Sequence, residues 1–97
     1  MYLGGLFMGL FSKKQKINYE QLFKDKYKSI NQLTMQANDE LDFQIKESLY
    51  DLIVKEYDEL LSYIEQGANF DKEHFLSLKE NAKQQLETIQ NINKNEL

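Results

Sequence analysis

At 97 residues, with 41% hydrophobic side chains and a net charge of −4, the chain has material for one modest core and no room for a second. It contains no cysteine, which excludes disulfides, thiol nucleophiles and thiolate metal sites. All twelve basic residues are lysine, and without arginine to grip phosphate or guanine through paired hydrogen bonds, on a net negative chain, nucleic acid is not an expected partner.

Proline is absent, and the four glycines are Gly4, Gly5, Gly9 and Gly67, so nothing breaks a helix between Leu10 and Gln66. The wealth of lysine, asparagine and isoleucine reads as an AT-rich genome, that of a low-GC bacterium or its phage. The lack of cysteine fits a cytoplasmic protein.

The chain opens on an uncharged apolar run, Met1–Phe11, followed by a basic joint with Lys13, Lys14 and Lys16. Its lysines follow the apolar run, so it is not a secretory signal. Eleven residues are about half of what spans a bilayer. Residues 1–16 are expected to be a disordered tail, and 17–97 a single helical domain. The tail also has the chemistry of a membrane-surface anchor: Leu3, Leu6, Phe7, Leu10 and Phe11 entering the interface, with Lys13, Lys14 and Lys16 at anionic headgroups. Met8-Gly-Leu-Phe-Ser-Lys-Lys14 reads as an ordinary start of a small bacterial protein as well.

The first helix is expected to begin at Asn18, a good N-cap, with Gln21 in the capping-box position and Ile17 and Leu22 in staple positions. At about 100° per residue, Tyr19, Leu22, Phe23, Tyr27, Ile30, Leu33 and Ala37 fall within an arc of roughly 140°, with Lys24 and Lys28 opposite. The second helix is expected over about Asp39–Gln66. Its apolar arc is wider, roughly 220°. One side carries Leu41, Ile45, Leu49, Leu52 and Leu60, and the other Phe43, Tyr50, Val54, Tyr57 and Leu61. Leu49, Leu52 and Leu60 are the expected core leucines. Gly67 marks the stop of this helix. Asp71 caps the third, with Phe70 and Phe75 as its staple, and the asparagine-rich run Asn91–Asn95 is expected to fray.

These elements predict an all-α fold, a three-helix antiparallel bundle. The alternative is a long helical hairpin that dimerises. The apolar period Ile30, Leu33, Ala37, Leu41, Ile45 runs straight through the first junction, and no glycine or proline interrupts it there. A single helix over Asn18–Gln66 would be roughly 70 Å long, and the third helix would cover only about half of it.

No catalytic constellation is present. His74 is the only histidine, so the two-histidine metal helix is excluded, and a solvent-facing first-turn residue is expected there. Asp39, Glu40 and Asp42 lack the spacing, the glycine and the closing glutamate of a calcium loop. No phosphate loop, nucleophile elbow or dinucleotide fingerprint occurs. No catalytic residue, metal ligand or cofactor is therefore expected.

The charge is uneven: residues 1–36 carry six lysines and two acids, and residues 37–97 six lysines and fourteen acids. The basic front and acidic middle are expected either to pair with each other or to face partners. The twelve aromatic residues belong first to the core. Those in excess on helix 2, Phe43, Tyr50 and Tyr57, are the candidate partner surface. In size and helix content, though in no motif, the chain is similar to bacteriocin immunity proteins.

The function expected from the sequence is that of a non-catalytic interaction module: an adaptor, inhibitor, or secretion or immunity accessory binding another protein or a second copy of itself. A peripheral membrane-surface protein, anchored by its apolar N-terminus, is the alternative.

Overall fold

The computed structural model of the protein describes residues 17–96. They form three helices, α1 (Tyr19–Asp39), α2 (Phe43–Glu65) and α3 (Lys72–Glu96), in an antiparallel bundle with no strand among the described residues. The tail, including the membrane-anchor residues Leu3, Leu6, Phe7, Leu10, Phe11, Lys13, Lys14 and Lys16, lies outside the described residues.

Helix α1 begins as its sequence dictates. The Asn18 side chain accepts the Gln21 backbone N–H at 3.0 Å. The Gln21 side chain does not return the bond as a capping box would; it donates to Asp25 Oδ1 at 3.0 Å.

The continuous hairpin is excluded by the break at Glu40–Asp42, and α2 starts at Phe43, not Asp39. The turn is built from polar side chains. Asp42 Oδ1 accepts from the N–H groups of Gln44 (2.8 Å) and Ile45 (3.3 Å), satisfying two otherwise orphaned donors of the new helix. The Glu40 carboxylate accepts the Asp42 N–H at 3.1 Å, and Tyr50 Oη donates to Asn38 Oδ1 at 2.6 Å, tying the end of α1 to the second turn of α2. The apolar period does not continue through the junction as a buried stripe: Ala37 is sealed, but Leu41 falls in the turn and is 91% exposed, and Ile45 is exposed as well.

The second junction follows the sequence reading. Gly67 has φ +131°, a conformation that L side chains rarely adopt. The Ala68 N–H reaches back to the Tyr63 carbonyl at 2.9 Å, and Asp71 Oδ1 accepts the His74 N–H at 3.4 Å. Helix α3 stays helical through the asparagine run, contrary to the expected fraying, because Asn93 Nδ2 donates to the Phe43 carbonyl (3.0 Å) and to Glu47 Oε1 (2.7 Å) at the start of α2.

Helix α2 is central. It packs along α1 on one side and α3 on the other, whereas the backbones of α1 and α3 do not run against each other. This is why its apolar arc is wide. Ile53 and Leu60 are sealed, with Phe23 and Ile30 of α1 equally buried. Phe75, Ala82 and Ile89 supply the α3 side. Leu60 is core as expected, Leu49 is half-buried, and Leu52 is exposed, since its flank of α2 turns past α1 into solvent.

Helices α1 and α3 meet through aromatic rings at one end. Phe23 stacks on Phe70 with centroids 4.1 Å apart, and Phe75 meets Phe23 (4.9 Å) and Tyr27 (5.2 Å) edge to face. The expected staple pair Phe70 and Phe75 thus closes around a residue of α1.

Candidate functional site

Phe43, Tyr50 and Tyr57 do not form the surface expected of them. Tyr50 and Tyr57 are only 6% and 7% exposed, because α2 lies between its two neighbours and the second apolar side serves the monomer. Burial pushes both phenols above their ordinary pKa of 10.0, with the phenol of Tyr27 adding to the effect at Tyr57. Phe43 alone of the three remains at the surface, with Lys46 Nζ 5.5 Å from its ring centroid.

Phe43 lies about half a helical turn round α2 from Ile45 and Leu52, on the side where its carbonyl accepts from Asn93 of α3. Leu41 in the α1–α2 turn, and Ile45 and Leu52 on one flank of α2, are exposed. Asp39, Glu40 and Asp42 surround Leu41, and no lysine occurs between Lys28 and Lys46. The Leu41 turn is thus apolar at its tip and acidic on both sides, and the first lysine after it, Lys46, lies over the Phe43 ring.

Along α1, from Phe23 to Met35, runs a cleft of about 470 Å³. The aromatic cluster Phe23, Tyr27, Phe70 and Phe75 forms its floor, and Met35, 67% exposed, stands at its upper edge. Lys24 and Lys28, one helical turn apart, line the rim with Asn31 and Gln32. Sequence reading missed this site because each aromatic residue was already assigned to a core stripe or a staple. The available signal was the pair Lys24 and Lys28 beside Tyr27.

The expected pairing of basic front and acidic middle is realised by Lys26. Its ammonium lies 2.7 Å from Glu56 and 3.0 Å from Glu59 on α2. The Glu56 hydrogen bond raises the Lys26 pKa, and the hydrogen bond from Lys26 holds the Glu59 carboxyl below its ordinary value. On the other side of α2, Lys79 pairs with Asp58 at 2.5 Å, and Lys72 pairs with Glu65. Lys24 and Lys28 have no ion pair among the described residues.

Two further hollows are smaller or more polar. One of about 190 Å³ lies between α1 and α3, over Tyr50, Ile53 and Tyr57, walled by Thr34, Asn81 and Gln85. The other, at the start of α2 and the end of α3, is lined by Gln44, Glu47, Ser48, Gln90, Asn93 and Lys94. In the second, Ser48 Oγ donates to the Gln44 carbonyl at 3.4 Å and Glu47 Oε1 accepts from Asn93 at 2.7 Å, so serine and carboxylate are not paired with each other.

His74 is exposed at the start of α3, with its ring edge-on to Phe75 at 4.9 Å. Among the described residues no group of His, Asp or Glu is placed to hold a metal ion, no buried polar or charged residue occurs, and no helix is long and apolar enough to cross a membrane. The arrangement offers two apolar surfaces of opposite charge surroundings. No family model, no curated protein and no solved structure matches the chain.

Proposed function

We propose that the chain is a non-catalytic helical interaction module, a binding protein that presents one corner of its bundle to another protein. The observation that carries this reading is the exposure of Leu41 in the turn and of Ile45 and Leu52 on one flank of α2. Single exposed apolar residues are ordinary, but three within twelve residues of sequence, two of them on one flank of α2, are what contact surfaces expose. The patch is not needed for folding, since the core closes without it. Asp39, Glu40 and Asp42 beside it supply the polar rim typical of such surfaces.

The test is affinity capture from the native host with the full chain and with an Ile45→Asp, Leu52→Asp double variant. Both positions are exposed, so circular dichroism should show an unchanged fold. A protein held by the parent chain and lost from the variant supports the reading. Identical captures by both chains sink it.

A further inference from the structure

We propose that this chain binds a second copy of itself head to tail, with the acidic Leu41 corner of one molecule seated in the lysine-rimmed aromatic cleft of the next. The inference rests on the interaction-module reading and names the partner of one end of that surface.

Leu41 is 91% exposed, held out on a turn whose shape is fixed by the Asp42 cap and the Glu40 bond to the Asp42 N–H. A leucine fixed in solvent at the tip of a rigid turn loses little entropy on being buried. Asp39, Glu40 and Asp42 surround it.

The cleft has the complementary character. Its aromatic floor accepts an aliphatic side chain, and its volume of about 470 Å³ exceeds what one leucine needs. Its rim carries Lys24 and Lys28, neither in an ion pair among the described residues, and after Asp25, which stands between them in sequence, α1 has no acid until Asp39. Over residues 17–97 there are nine lysines and sixteen acids, a net charge of 9 − 16 = −7. The lysines of the cleft rim are thus a local positive site on an acidic body. An apolar segment flanked by acids is what such a rim selects, and the chain itself carries one.

The contact is not made within a molecule, where Leu41 is 91% exposed and lies beyond the far end of α1 from the aromatic floor. Tyr27 in the cleft floor and Asp39 at the turn are separated by twelve residues of straight helix, about 18 Å at 1.5 Å per residue. Because the two surfaces differ, the association is heterologous, and each molecule offers one free corner and one free cleft. Opposite charges at the rim make it salt-sensitive.

Sedimentation equilibrium of the full chain across a concentration series tests this. The expected result is a mass that rises with concentration at about 0.01 M ionic strength and falls back at about 1 M, where the screening length shrinks from about 30 Å to about 3 Å. Leu41→Asp removes the corner, and Lys24→Glu with Lys28→Glu reverses the rim. All three positions are exposed, and a circular dichroism melt confirms the fold of each variant. Each variant alone should associate about tenfold or more weakly. Mixed, they hold one intact corner and one intact cleft, and should form a one-to-one pair and nothing larger. A parent chain that stays monomeric overturns the proposal. So does association that survives in both variants, which would place the contact elsewhere, on Met1–Phe11 or the Ile45–Leu52 flank. Failure of the mixture to restore pairing overturns it equally, because a two-fold symmetric contact gives that result. None of these three outcomes touches the capture of a different protein, which the Ile45 and Leu52 variant decides separately.

Discussion

Replacing Phe23 with alanine should remove the ring on which α1, the second turn and α3 converge. Phe23 is 2% exposed, and full burial of such a side chain is worth about 1.5–3 kcal/mol. Its stack on Phe70 and its edge contact with Phe75 each add about 0.5–1.5 kcal/mol. The expected loss is therefore about 3–5 kcal/mol, the range of buried phenylalanine truncations. A domain of this size holds about 5–15 kcal/mol in all, so the variant should fold with little margin. At about 4–8 °C per kcal/mol, its melting temperature should drop on the order of 20 °C. Urea unfolding followed by circular dichroism gives the loss directly. A cycle of Phe23→Leu and Phe70→Leu, singly and together, isolates the stack, with an expected coupling of about 0.5–1.5 kcal/mol. A loss under about 1 kcal/mol for Phe23→Ala, or a coupling of zero, would refute the claim that this cluster joins α1 to α3.

The same unfolding assay checks three further expectations. Gly67→Ala should cost about 1–3 kcal/mol through backbone conformation alone, since the residue sits at φ +131° and an added Cβ would meet nothing within 4 Å; a neutral result would mean that the turn relaxes freely. Leu60→Ala should cost about 2–5 kcal/mol and Leu52→Ala less than about 1 kcal/mol, because the first is sealed and the second is exposed; equal losses would contradict the placement of α2 between its neighbours. The Lys26 cluster should shape the pH dependence. Lys26 is raised from its ordinary 10.5, so its contribution is complete below that value and fades as pH rises through the raised one. Glu59 is lowered from its ordinary 4.5, so its contribution is present above that value and fades as pH falls through the lowered one. Lys26→Met should flatten both limbs of the stability profile, and an unchanged profile would show that solvent screens the pair out.

Much of the bundle was legible in the chain because local chemistry fixes it. Asn18, Gly67 and Asp71 mark helix ends through backbone hydrogen bonds and a φ requirement that act within a few residues. The break between α1 and α2 was ambiguous because the apolar period passes through it. Only the cap at Asp42 and the Tyr50–Asn38 bond, which needs α2 folded back on α1, decide it. The surfaces were least legible. Tyr50 and Tyr57 read as candidates for a partner because helical periodicity gives the width of an apolar arc without saying how many neighbours cover it.

The sequence by itself determined the helical class, two of the helix starts, the glycine stop and the absence of thiol chemistry, all consequences of residue type and short-range spacing. The tertiary structure alone decided that α2 is the central helix, that Leu41 and Leu52 face solvent while Tyr50 and Tyr57 do not, and that Phe23, Tyr27, Phe70 and Phe75 gather beside Lys24 and Lys28. These are relations between residues as far as fifty-two positions apart, Phe23 and Phe75 among them. They follow from which flank of one helix meets which flank of another, and an amphipathic pattern leaves that choice open because hydrophobic burial is non-directional.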